Sequence, residues 1–139
     1  MHALPLLNAL STAIAAPQTA AGTSTVTGST IDCIDAASVM FTLILGTITA
    51  TGTGTAKIQE GDDSGAADMA DVSGLSISWT DATTATVLRL ELTKITKRYA
   101  RIVVTRATAN TVLGGAVVDR IFMRKQPITQ PSSVLTDFN

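Results

Sequence analysis

Between Ser38 and Lys125 the chain switches side-chain character at every second residue, in short runs separated by turn formers. In Gly74–Thr80 (GLSISWT), Leu75, Ile77 and Trp79 share one face, with Ser76 and Ser78 on the other. Thr86–Thr93 puts Leu88, Leu90 and Leu92 inside and Arg89 and Glu91 outside, and Arg98–Arg106 sets Ala100, Ile102 and Val104 on one face. A period of two is the mark of a strand with one face in a core. Thr25–Ile31 and Thr55–Glu60 are shorter strand candidates. Two runs are apolar on both faces. Ser38–Thr49 carries Phe41, Leu43 and Leu45 on one side and Met40, Ile44 and Ile48 on the other. Leu113–Lys125 sets Val117, Ile121 and Met123 against Val118 and Phe122. No helical period separates these runs, which excludes βαβ units. The spacing predicts an all-β chain, an antiparallel β-sandwich or jelly roll.

The flanks read differently. In residues 2–16 (HALPLLNALSTAIAA), Leu4, Leu7, Leu10 and Ile14 recur at spacings of three, three and four. That spacing predicts a short amphipathic N-terminal helix, with Pro5 in its first turn and Pro17 beyond its end. A signal peptide is the weaker reading, because no Lys or Arg precedes the apolar stretch and Pro5 and Asn8 interrupt it. A helix this short must dock, either on the chain's own sheet or on a neighbour. Gln126–Asn139 contains Pro127 and Pro131 and little alternation, and reads as an extended C-terminal tail. The expected organisation is an N-terminal arm over 1–24, a sandwich over 25–125 and a C-terminal arm over 126–139.

Composition narrows the function. Of 139 residues 23 are Thr and 20 Ala, while charged residues make up 15% and the net charge is -1. β-branched Thr suits a pleated surface and keeps a hydroxyl for water, so a strand can face solvent with few charges. The charge balance offers no footprint for nucleic acid or an anionic membrane. One His and one Cys leave little material for a triad, a zinc site or an internal disulfide. The expectation is a protein that is not an enzyme and uses no cofactor, with Cys33 as a small buried hydrophobe.

Two polar clusters remain. Asp62, Asp63, Asp68 and Asp71 crowd one loop, just after Glu60. Calcium wants six to eight oxygen ligands, but the spacing lacks the EF-hand order, and Asp and Gly are also ordinary turn formers. A solvated loop is the plainer reading, and these four are weak metal candidates. Lys94, Lys97, Arg98, Arg101 and Arg106 form a basic stretch with Tyr99 inside it. It reads either as edge charge that discourages sheet-to-sheet pairing or as a patch for an acidic partner surface. The candidate interface residues are therefore Leu4, Leu7, Leu10 and Ile14 of the N-terminal stripe, Arg98 and Arg101 of the basic stretch, and Pro127 and Pro131 of the tail.

The order of segments adds a resemblance. A Thr/Gly lead-in is followed by an aliphatic strand ending in GTIT, a strand running into KIQEGDDSG, the strand KRYARIVVTRAT and the Pro-bearing tail RKQPITQPSS. Over residues 25–131 this resembles small virion structural proteins of tailed bacteriophages. The resemblance implies a β-sandwich that coats or cements a capsid, with no catalytic residues to carry over. Its expected partners are the major capsid protein and further copies of itself, as a trimer or other small oligomer with the trimer favoured; the two strands that are apolar on both faces motivate the self-association. The expected place is the outside of the virion. A tail, head–tail connector or head-fibre component is the alternative within that class. A calcium- or carbohydrate-binding β-sandwich module is the rival from another class, and sugar stacking would have only Trp79, Tyr99 and three Phe to draw on.

Overall fold

The structure is a computed structural model and describes residues 9–121. Ten strands follow one another: β1 (Leu10–Ala16), β2 (Thr19–Gly22), β3 (Val26–Thr27), β4 (Ile31–Asp32), β5 (Ser38–Ile48), β6 (Thr53–Gly61), β7 (Ala70–Thr80), β8 (Val87–Leu92), β9 (Tyr99–Ala107) and β10 (Thr111–Ile121). They form two antiparallel sheets. Sheet I has the order β1-β10-β5-β8 with β2 also on β10, and sheet II the order β3-β9-β6-β7 with β4 also on β9.

Both split strands are single edges with a break. β1 lies against Ala116–Ile121 of β10 and β2 against Thr111–Leu113, with Pro17 and Gln18 between them. Pro17 lacks the N–H that a ladder needs, so the edge is interrupted there. Likewise β3 pairs with Val103 and Val104, and β4 with Tyr99 and Ala100. Counting each broken edge once leaves eight strands, in the orders 1-8-3-6 and 2-7-4-5. That is the double Greek key of a jelly roll, so the fold expected from the alternation is the one found.

The alternating runs supply the core. Phe41, Leu43, Leu88, Leu90, Leu92 and Val118 of sheet I meet Ala56, Ile58, Ile102 and Val104 of sheet II, all buried. Trp79 is buried too, opposite Gly54 on β6. A side chain at Gly54 would overlap the indole, which fixes glycine at that position. Cys33 is buried as expected, and loss of solvent pushes its thiol up to about 11.

Two expectations are corrected. From Leu10 onward the N-terminal stripe is extended, not helical: Leu10–Ala16 is β1, in register with Ile121 to Ala116. The run Leu10–Ala16 is also β-compatible, and pairing with β10 satisfies its backbone where a three-turn helix would stand alone. The expected arm is therefore built into sheet I from Leu10 to Gly22, and residues 1–8 lie outside the described residues. The second correction concerns Arg106, placed by its neighbours in a surface basic stretch. It is 3% exposed and points between the sheets. Its guanidinium donates to Ser24 O (2.9 Å), Ala20 O (2.8 Å), Thr111 O (2.7 Å) and Ser24 Oγ (3.0 Å). The residues that carry the chain from sheet I to sheet II are tied down by this one side chain, which has enough donors for four acceptors.

Candidate interaction surface

The acidic loop and the basic stretch meet at one end of the sandwich. Asp62 pairs with Lys97 Nζ at 2.6 Å and accepts the Arg98 N–H. Asp68 turns back to accept the N–H groups of Asp62 and Asp63, at 2.8 and 3.0 Å. Asp63 accepts from Gly65 N. Asp71 lies on the start of β7 and pairs with Lys57 at 2.7 Å and Gln59 Nε2 at 2.7 Å. The four carboxylates thus face separate partners, and among the described residues no three His, Cys, Asp or Glu side chains converge on a point that could hold a metal ion.

The basic side chains are engaged as well. Arg98 forks onto Asp32, with Nη2 at 2.9 Å, and lies 5.1 Å over the Tyr99 ring. Arg101 donates to Gln59 Oε1 at 2.8 Å. Glu60 is buried and accepts from Thr96 N and Thr96 Oγ1, both at 2.9 Å, so it holds the loop between β8 and β9. These contacts shift the titrations. The Arg98 guanidinium holds the Asp32 carboxyl below the usual range, and the Lys97 ammonium does the same for Asp62. Two backbone N–H groups lower Asp68, while Lys57, then Gln59, lowers Asp71. Asp62 in turn raises Lys97, and Asp32 raises Arg98. Three carboxylates at this end meet a cation, those of Asp32, Asp62 and Asp71, and Arg98 and Arg101 both hold internal partners.

The outer face of sheet I is of another kind. Register lays it out in rows across the strands: Leu10–Ile121, then Thr12–Asp119–Met40–Glu91, then Ile14–Val117–Thr42–Arg89. A last row runs Gly115–Ile44–Val87. Four of these side chains are large, apolar and exposed: Ile14 (55%), Val87 (49%), Ile44 (45%) and Val117 (37%). Ile14, Ile44 and Val117 line a hollow of about 350 Å³ whose floor includes Ala16, Pro17, Gly114 and Gly115, and Val87 stands beside Ile44 in the last row. The floor depends on the two glycines. A Cβ on Gly114 would press on Ile44, and Gly115 takes a φ of 100° at the point where β10 bulges.

Of the expected interface residues, the structure brings Ile14 and Leu10 to this face, Ile14 at the rim of the hollow and Leu10 in the first row. Leu4, Leu7, Pro127 and Pro131 lie outside the described residues. Sequence reading found Ile44 and Val117 as the second apolar sides of their strands. It missed Val87, which precedes the alternating Leu88–Leu92 as an outward apolar residue, and the hollow, for which Gly114–Gly115 in mid-strand was the available signal.

No protein-family model matches the chain, and no curated protein matches it. Among solved structures, a chain in the structure of infectious bursal disease virus Gx strain aligns with a TM-score of 0.45 and 18% identity. The alignment covers 85% of this chain and 34% of that one, so the chain spans about a third of the length of the solved neighbour.

Proposed function

We propose that the chain is a non-enzymatic structural component of a bacteriophage virion, a capsid decoration or cement protein that bridges neighbouring major capsid subunits and associates with copies of itself, a trimer being favoured. One observation carries the reading: four exposed aliphatic side chains and a glycine-floored hollow occupy one face of a jelly roll. Apolar surface gathered in one place marks contact with another protein. The jelly roll itself serves viral capsid domains and lectins alike, so the strand order is compatible with the reading and does not select it.

Mechanically, such a protein binds by area and shape. Apolar burial gives roughly 25 cal/mol per Å², and repeated weak contacts across a lattice add avidity. The acidic loop, with its carboxylates bound to its own N–H groups and lysines, acts as a structural clasp between β6 and β9.

The test is immunogold labelling of intact particles with antibody against this chain. Label spread over the whole shell is the expected result. Label at a single vertex or along a tail would replace decoration by the connector or tail role, and unlabelled particles would overturn the virion reading.

A further inference from the structure

Among the described residues the two sheets end in four edges, and three of them are blunted. β1 and β2 are separated at Pro17, and the register of β1 on β10 shifts between Ile14 and Ala16. β3 and β4 pair over two residues each. β7 carries Gly74 at a φ of 76° and slips register between Lys57 and Gln59 of β6. Breaks, short runs and bulges are how a sheet edge avoids pairing with another chain. β8 has none of them. Its residues, VLRLEL, run in unbroken register with β5, from Val87 opposite Ile44 to Leu92 opposite Val39. Among the described residues no strand lies on its other side.

Register also says which backbone groups face that side. Leu45 N–H donates to Thr86 O at 2.7 Å, in step with the β5–β8 ladder. Thr86, Leu88, Leu90 and Leu92 therefore turn their N–H and C=O groups toward β5, because these groups alternate along an antiparallel strand. Val87, Arg89 and Glu91 turn theirs to the open edge, and all three residues are exposed. The side chains of Arg89 and Glu91 stand opposite Thr42 and Met40 of β5, and among the described residues they form no ion pair. An antiparallel copy of β8 brought to this edge meets a choice of register. Centred on Arg89 it sets arginine against arginine, and centred on Glu91 it sets glutamate against glutamate. Centred on Leu90 it sets Arg89 opposite Glu91 twice, with the outward backbone groups of both residues in hydrogen-bonding positions.

We propose that β8 pairs edge to edge with β8 of a second copy, antiparallel about a two-fold axis at Leu90, with Arg89 of each chain opposite Glu91 of the partner subunit. Sheet I then runs on from one chain into the next. Main-chain bonds supply the affinity, and the charges select the register. The contact is isologous, so it closes at two chains and joins two trimers as readily as two monomers. It gives a surface to the self-association proposed above and rests on no other part of that reading.

The experiment follows the full chain by sedimentation over a concentration series, with hydrogen exchange at the same concentrations. The wild type is expected to dimerise, the Arg89 and Glu91 amides gaining protection as the dimer fills. Arg89→Glu alone and Glu91→Arg alone each set like charges opposite and should weaken the dimer about tenfold or more. Mixing the two single variants restores opposite charges, as does placing both substitutions in one chain, and both should recover the affinity to within about threefold. Recovery in the mixture also shows that each single variant is folded. A wild type that stays monomeric would overturn the proposal together with the self-association. Oligomers indifferent to the single variants would overturn the edge contact and leave self-association to another surface. Recovery by charge without amide protection would mean that the faces of sheet I meet in place of the edges. Protection independent of concentration would mean that the edge is covered within its own chain, and either result overturns the proposal.

Discussion

The two outward faces of the sandwich are built from the same strand grammar and differ in what they show to water. Sheet II presents hydroxyls and paired charges: Thr53 beside Thr80, Thr55 beside Ser78 and Thr105, then Lys57, Gln59 and Arg101. Thr55 and Ser78 bond each other at 2.9 Å, and Asp71 bonds Lys57 and Gln59. Sheet I presents Ile14, Ile44 and Val117 around a hollow, with Val87 exposed beside Ile44. One face is finished by itself and the other is not. Sheet I carries Asp119, Glu91 and Arg89 in its outer rows as well, but its four exposed aliphatic side chains depend on burial.

Arg106 ties the crossover between the two sheets, and its loss has the largest expected effect. Arg106→Met removes the donors to Ser24 O, Ala20 O, Thr111 O and Ser24 Oγ from an interior site. A loss of about 3 kcal/mol in unfolding free energy is expected, read from denaturant titration, with the segment between β2 and β3 losing hydrogen-exchange protection first. A change below about 0.5 kcal/mol would mean that the crossover is held by other contacts.

The faces themselves are compared by matched pairs of substitutions. On the proposed virion role, Ile44→Asp with Val117→Asp is expected to weaken assembly onto particles by tenfold or more, about 1.4 kcal/mol in binding. Thr55→Asp with Ser78→Asp, on the other sheet, is expected to change it less than twofold. Equal losses from both pairs, measured by occupancy of purified shells, would erase the distinction.

Acid acts on the sheet II side. Asp32, Asp62, Asp68 and Asp71 all titrate below the ordinary 3.8, and all belong to sheet II or its β6–β7 loop. A carboxyl lowered in the folded state adds stability that is complete above its unfolded value and is lost as pH falls through the folded value. Stability is therefore expected to be level down to about pH 5 and to fall below about pH 4. Asp62→Asn with Asp71→Asn should flatten that fall. Because three of the four carboxyls are solvent-exposed, the whole effect is small beside that of Arg106, and an unaltered acid profile in the double variant would remove these pairs from the account.

The smallest effect concerns Cys33, which reports the interior and neither face. Its thiol is pushed up to about 11, so a thiol reagent at pH 8 should modify it only as fast as the chain opens. Prompt labelling of the native protein would show that the interior at β4 is open.

Much of the sandwich was readable from alternation because burial on one face writes a period of two into each strand: Leu88–Leu92, Ala100–Val104 and Leu75–Trp79 all point where the pattern said. The N-terminal stripe misled because Leu10 and Ile14 satisfy a helical spacing of four and also a strand spacing of two twos; only the pairing of Leu10 with Ile121 and Ile14 with Val117 distinguishes them. Arg106 misled for a related reason. Its type says surface, but its parity on β9 is that of Ile102 and Val104, and parity prevailed because carbonyls were waiting inside.

By itself, then, the sequence determined that this chain is all-β, that each alternating run turns one face inward, and that strands β5 and β10 have a second apolar side. These are local properties, set by which residue follows which. Tertiary structure alone decided that Ile14, Ile44, Val87 and Val117 stand together, since they come from four strands spread over 104 residue numbers and are brought into one patch only by the register of sheet I. It also decided that Asp62 of the acidic loop meets Lys97 of the basic stretch. Register is a property of pairs of strands, fixed by the whole sandwich at once, and no single stretch of chain contains it.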